Sequence, residues 1–207
     1  MTKQQFISTY YPFARKASEQ NGIPVLFALA QSALESGWGK SAPRNMLFGI
    51  KVGSGKDFGG WSGDKQLITT TEYASTPSAS FPVILDGYPV QHSSGRWKYR
   101  IKDYFRAYPS PLNSFLDWGG LLSKAARYRE AMRQKNDPYR FAEEVAAAGY
   151  ATSPTYAEKV KSIMRDIEGL IPSPQKTGTK KTSRTRRLLP LILLATGSLL
   201  LLTAMLR

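Results

Sequence analysis

Two hydrophobic periods divide the chain into helix, sheet and helix. Phe6, Tyr10, Ala14 and Ala17 recur at helical spacing up to Gly22. Thr2 with Gln5 forms a capping-box pattern at the start of that helix, and Pro12 is a candidate kink inside it. Pro24 suits the first turn of a second helix and Gly37 its stop, with Leu26, Leu29, Ala30 and Ala33 as the buried stripe. Glycines from Gly53 to Gly63 mark a loop. The period then shortens. Lys65 to Tyr73 alternates and is rich in threonine, which predicts a strand, and Trp97 to Phe105 alternates too. In the second segment Trp97, Tyr99, Ile101 and Phe105 face one way and Lys98, Arg100 and Lys102 the other. Between them, Asp86-Gly87 separates Val83-Ile84-Leu85 from Tyr88-Pro89-Val90, a short hairpin signal that the prolines weaken.

Helical spacing then returns. Ser114 with Asp117 suits the cap of a helix reaching about Gln134, and Asp137-Pro138 opens another that Gly149 ends. Ser153 or Thr155 caps the last, whose buried stripe is Val160, Ile163, Met164 and Ile167. Helices, a small sheet and more helices predict one α+β domain over residues 1–171.

Beyond that domain the pattern breaks down. Residues 172–187 are Pro, Ser, Thr, Gly, Lys and Arg, the composition of a flexible basic linker. Residues 188–206 carry no charged side chain, and Arg187 and Arg207 bracket them. About 19 residues of helix span roughly 28 Å, close to a bilayer's hydrocarbon thickness. A C-terminal transmembrane helix is therefore expected, with the lipid bilayer as a partner and Pro190 tolerated near its start. Residues beyond Pro172 contain seven Lys and Arg and no acid, half of the net charge of +14. The basic remainder points to an anionic partner: nucleic acid, lipid or an acidic wall polymer. Cations beside a membrane span meet anionic lipid more often, so no nucleic acid is expected.

With no cysteine there is no disulfide framework and no thiol nucleophile. His92 is the only histidine, which argues against a zinc site of the usual His/Cys type and against a Ser-His-Asp mechanism. Residues 1–20 lack the apolar core of a signal peptide. No metal and no cofactor are expected.

Glu35 ends the second helix. A carboxylate there meets the negative end of the helix dipole, and Phe27, Trp38 and Phe48 add partial desolvation. Both effects favour the protonated acid that glycoside cleavage requires. From the residues alone, Glu35 is also readable as a solvated glutamate that merely ends a helix. Glu72, on the first strand, is either a second carboxylate flanking one bond or a surface glutamate paired to Lys98 or Arg100. Tyr128, Tyr139, Tyr150 and Tyr156 are either core tyrosines or a sugar-stacking platform. Lys98, Arg100 and Lys102 are either a solvated strand face or a substrate contact.

The segment Ala30-Gln31-Ser32-Ala33-Leu34-Glu35-Ser36-Gly37-Trp38-Gly39, followed by Asn45-Met46-Leu47-Phe48-Gly49-Ile50-Lys51, resembles the glucosaminidase family of peptidoglycan hydrolases, glycoside hydrolase family 73. Thr71-Glu72-Tyr73, then Asp103 to Tyr108 with Ser114 and Asp117, then Ala148 to Thr152 with Pro154, Tyr156 and Ala157 follow in order. The resemblance covers roughly residues 5–168. It implies a lysozyme-like fold with a helical lobe, a small β-hairpin lobe and a cleft between them. It also implies an endo-β-N-acetylglucosaminidase that cuts the β-1,4 glycan strands of peptidoglycan, its partner; a monomer is expected. By the same resemblance Glu35 is the essential acid, Glu72 the second carboxylate and Tyr150 the cleft tyrosine. Trp38, Phe48, Tyr108, Tyr128 and Tyr156 are the expected substrate contacts. The insert from Ser75 to Arg96 departs from relatives with a short turn, which bears on the reach of Glu72. An N-acetylmuramidase or lytic transglycosylase on the same fold, and a non-catalytic wall-binding module, are the alternatives. The expected location is membrane-anchored: the bacterial envelope, a virion membrane or a phage lysis setting.

Overall fold

The computed structural model describes residues 1–53, 60–151 and 153–172. Helix α1 (Lys3–Asn21) opens on the expected capping box: Thr2 accepts from the Gln5 amide while the Gln5 side chain returns to Thr2. It runs unbroken through Pro12, which is exposed, and buries Phe6, Ile7, Ala14 and Ala17. Helix α2 (Val25–Ser36) is buried nearly all round and stops at Gly37, which takes the left-handed conformation at φ 57°. Pro24 sits just before this helix rather than in its first turn.

Strands β1 (Lys65–Ala74) and β4 (Trp97–Arg106) pair antiparallel over ten positions, from Lys65 opposite Arg106 to Ala74 opposite Trp97. Tyr99, Ile101 and Phe105 are buried, so the face expected from alternation is the one the fold covers. The expected hairpin at Asp86-Gly87 does not form. Strands β2 (Val83–Ile84) and β3 (Val90–Gln91) both pair antiparallel with β4, one after the other along its free edge. The turn between them, held by the Tyr88 amide on the Leu85 carbonyl at 3.3 Å, offsets the chain without reversing it. The insert therefore folds back on the sheet. Tyr99 anchors it, donating to the Thr76 carbonyl at 2.9 Å and accepting from the Ala79 amide at 3.2 Å.

Helix α3 spans Pro111–Lys124, shorter than expected, and Ser110 caps it rather than Ser114. Ser114 is fully buried inside the helix and accepts from the Leu47 amide. A short 3-10 turn, α4 (Arg129–Arg133) and α5 (Pro138–Ala147) follow, with Asp137 capping α5 on two amides. Helix α6 (Tyr156–Glu168) buries Tyr156, Val160, Met164 and Ile167. The core of the helical part stacks Phe27, Phe48, Phe115, Trp118 and Phe141 between α2, α3 and α5.

One expectation is corrected. The fold is α+β, but among the described residues no helix is long and apolar enough to cross a membrane. The longest, α1, has exposed polar side chains along its length. The expected transmembrane helix at 188–206 lies outside the described residues, as do the expected linker 172–187 apart from Pro172 and most of the expected glycine-rich loop. The fold class is thus an α+β domain, with no spanning helix among the described residues.

Candidate active site

Helix α2 delivers Glu35 to the protein surface in its last turn, immediately before the chain turns away at Gly37. Glu35 is exposed as a residue. Its carboxyl is nevertheless held above the usual carboxylate range, chiefly by desolvation, against which a hydrogen bond from Gln31 acts. The two observations concern different atoms: backbone and stem contribute to the exposure, whereas the shift belongs to the carboxyl, whose bond with Gln31 is partly buried. The arrangement provides an acid that a substrate can reach and that keeps its proton above the range of ordinary carboxyls.

One turn back on the same face, Gln31 is fully buried and donates Nε2 to Glu35 Oε1 at 2.8 Å. Tyr156, at the start of α6, donates its hydroxyl to Gln31 Oε1 at 2.8 Å. Tyr156 stacks on Tyr150 at 5.3 Å between centroids, and Tyr150 accepts from the Trp118 indole at 3.0 Å. Tyr128 lies 6.3 Å from the Tyr150 ring. The structure thus gathers Tyr128, Tyr150 and Tyr156 behind Glu35. Burial pushes the Tyr150 phenol up to about 12, and the charge of Glu35 adds to the rise. Tyr150 is therefore a neutral phenol wherever Glu35 is a working acid. Tyr150 remains partly exposed, whereas Tyr128 and Tyr156 are buried. Tyr139 stands apart and donates to Glu168 at 3.1 Å.

Glu72 lies on the sheet, opposite Tyr99. Its partner is neither Lys98 nor Arg100 but Lys51, whose ammonium sits 2.9 Å from Glu72 and 2.9 Å from Asp103. Desolvation pulls the Lys51 ammonium down, but Asp103 and Glu72 more than offset this and hold it above its ordinary value. The three groups form a charged bridge across β4.

The remaining expected contacts are placed elsewhere. Phe48 is stacked on Trp118 at 4.2 Å and 2°, inside the core. Trp38, with φ 60°, turns its ring edge-on to Phe6 at 5.6 Å and lies beneath the Lys3 ammonium. Tyr108 is buried and donates to Asp117 at 2.6 Å, which Arg106 also grips with two bonds of 2.8 and 2.9 Å. With Trp61, Pro109 and Asn113, Tyr108 and Asp117 line a cavity of about 420 Å³. The Arg106 guanidinium lies 4.4 Å from the Trp61 ring centre. Sequence reasoning did not single out Gln31, Trp118 or Lys51. Only Gln31 had a local signal, its position four residues before Glu35. Among the described residues no group of three or more His, Cys, Asp or Glu side chains is placed to hold a metal ion.

Residues 11–169 match the family described as mannosyl-glycoprotein endo-beta-N-acetylglucosaminidase. The chain is 36% identical to peptidoglycan hydrolase FlgJ of Pseudomonas aeruginosa over 171 residues, which is 79% of this chain and 36% of that protein. Against FlgJ of Vibrio parahaemolyticus it is 32% identical, over 81% of this chain and 48% of the relative. The chain thus spans half or less of the length of these curated relatives. The glycoside hydrolase domain of Salmonella typhimurium FlgJ superposes with a TM-score of 0.61 at 29% identity, covering 82% of this chain and 91% of that one. A C-terminally truncated form of that domain gives 0.60 at 31% identity, covering 81% and 99%.

Proposed function

The chain belongs to the mannosyl-glycoprotein endo-beta-N-acetylglucosaminidase family, and from that premise we propose that it is a peptidoglycan hydrolase cutting the β-1,4 bond after N-acetylglucosamine. The observation that carries this reading is Glu35: surface-exposed, proton-retaining through desolvation, and oriented by the Gln31 amide. In the proposed reaction Glu35 gives its proton to the glycosidic oxygen as the bond to the anomeric carbon breaks. Water then adds at that carbon and returns a proton to the carboxylate. Charge develops on the sugar ring, and ionised Glu35 is the adjacent counter-charge. Glu72 positions the water or the substrate's acetamido group, and Lys51 holds it in place for that role. The partly exposed ring of Tyr150 is the contact offered to a sugar next to the acid, while Tyr156 and Tyr128 support it from behind. We take the working unit to be a monomer comprising residues 1–171.

The similarity to FlgJ proteins, which are described as peptidoglycan hydrolases, supports the substrate class. Digestion of purified murein, borohydride reduction and mass spectrometry of the fragments test the reading. New reducing ends on N-acetylglucosamine are expected. New ends on N-acetylmuramic acid, or anhydro sugars, would reassign the bond to a muramidase or a lytic transglycosylase. No release at all would leave a wall-binding module.

A further inference from the structure

The β1–β4 ladder sorts charge by face. Directly opposed residues of an antiparallel ladder project to the same side. One face takes Glu72 and Asp103, both neutralised by Lys51. The other presents Thr69 opposite Lys102, Thr71 opposite Arg100 and Tyr73 opposite Lys98. No strand residue on that second face is acidic. Among the described residues, no carboxylate forms an ion pair with Lys98, Arg100 or Lys102. Arg100 and Lys102 are exposed and Lys98 partly so. Alternate residues of a strand stand about 6.8 Å apart, so the three cations form a column at that spacing. The insert borders the column with Val83, opposite Lys102, and Val90, opposite Lys98, each 42% exposed.

We propose that this outer sheet face is a docking surface for the free carboxylates of the peptide stems that peptidoglycan strands carry. The inference rests on the wall-polymer reading above and adds a second contact on the side of the sheet that Glu72 does not occupy. Each cation stands across from a hydroxyl or phenol at a Cβ separation of about 4.5–5.5 Å, so one carboxylate can accept from both at once. The flanking valines offer apolar surface to the small side chains of a stem peptide. The other polyanions fit less well. A bilayer surface calls for apolar side chains at the centre of the face, where Thr69 and Thr71 stand instead. Single-stranded nucleic acid calls for an unoccupied aromatic ring to stack on, and Tyr73 is already engaged by Arg96 and by His92 at 5.1 Å. Such a surface slows escape from the wall polymer between cuts, because a strand released from the catalytic groove is still held by its stems.

The test is co-sedimentation of the full chain, carrying Glu35→Gln so that nothing is cut, with purified murein sacculi. One portion of sacculi is native and the other has its carboxyls amidated. Lys98→Gln/Arg100→Gln/Lys102→Gln is expected to weaken binding to native sacculi about tenfold. Amidation is expected to do the same to the unsubstituted chain, and the two together to cost no more than either alone. With Glu35 restored, the triple variant is expected to cut peptide-free glycan strands at the unsubstituted rate and native sacculi more slowly. Undiminished binding of the triple variant, or equal losses on native and amidated sacculi, would overturn the proposal. So would a larger loss on anionic lipid vesicles or duplex DNA than on murein. Failure of the unsubstituted chain to cut any glycan would instead refute the hydrolase reading, since the binding comparison involves no cleavage.

Discussion

Tyr156 holds the oxygen end of the Gln31 amide whose nitrogen end meets Glu35. Its hydroxyl donates to Gln31 Oε1 at 2.8 Å, from 125 positions away in sequence. At the other end of the amide, Nε2 faces Glu35 Oε1. An N–H bond to that oxygen leaves the other carboxyl oxygen as the place for a transferable proton. The buried pair thus orients the acid as well as tuning it.

Because Gln31 lowers the Glu35 pKa while burial raises it, Gln31→Leu should raise it further. A general acid works only while protonated, so the alkaline limb of the kcat profile should move to higher pH. The lost orientation should cost kcat about tenfold, or about 1.4 kcal/mol, with KM little changed because buried Gln31 meets no sugar. Tyr156→Phe frees the amide to turn its oxygen toward Glu35, which favours the protonated carboxyl and moves the limb the same way. Steady-state rates from pH 4 to 9 check both. A fall in kcat and in melting temperature with the limb unmoved would reduce the pair to packing.

Glu35→Gln should abolish murein cleavage by several orders of magnitude while preserving the fold. It should also change the pH dependence of stability. The folded-state pKa of Glu35 is raised, so the native state binds its proton more tightly than the unfolded chain does. That stabilisation is complete below the unfolded value and is lost as pH rises through the folded one. In Glu35→Gln this loss should disappear, leaving a variant at least as stable as the parent at neutral pH. Urea unfolding at acid and neutral pH measures the difference. An active variant, or a parent whose stability relative to the variant does not fall with pH, would contradict the assignment.

Phe48 should behave as core. The residue is 5% exposed and its ring is stacked face to face on Trp118. Phe48→Ala is expected to cost about 3–5 kcal/mol of stability, whereas Phe48→Leu should cost less and leave KM unchanged at a temperature where it is folded. A KM raised many-fold in a stable Phe48→Leu protein would return the ring to the substrate groove.

The sequence made some of this legible and some not, for physical reasons. Alternation in β1 and β4 was readable because the fold covers one face only, where Tyr99 and Ile101 lie. The place of Glu35 in the last turn of α2 was readable because Gly37 marks the helix stop. The Asp86-Gly87 turn misled because a reversing dipeptide says nothing about the free edge of β4, which captured both flanking segments in line. Ser114 looked like a cap, but Ser110-Pro111 four residues earlier starts the helix and Ser114 binds the Leu47 amide from within it. Phe48 and Trp38 are close to Glu35 in sequence, but their rings go to Trp118 and Phe6. Tyr156 could not be linked to Gln31 by any local period, since α2 and α6 meet only through packing.

Glu72 should matter less than Glu35, and through Lys51. Its side chain is a third exposed and its carboxylate is tied to Lys51 at 2.9 Å, with Asp103 on the same ammonium. Glu72→Gln leaves Lys51 its Asp103 partner, so stability should change by no more than about 1 kcal/mol. A substrate's own acetamido oxygen can attack the anomeric carbon without a second carboxylate, so activity should fall but not vanish. Lys51→Met removes the tether that fixes the Glu72 carboxylate, and its loss of kcat should match that of Glu72→Gln. If the tether works through Glu72, the double variant should be no slower than either single one. Rates on purified murein for the three variants decide it. A loss equal to that of Glu35→Gln would make Glu72 an obligatory base. No loss in any of the three would place the Glu72–Lys51–Asp103 bridge outside the catalytic groove and leave it a brace of the sheet.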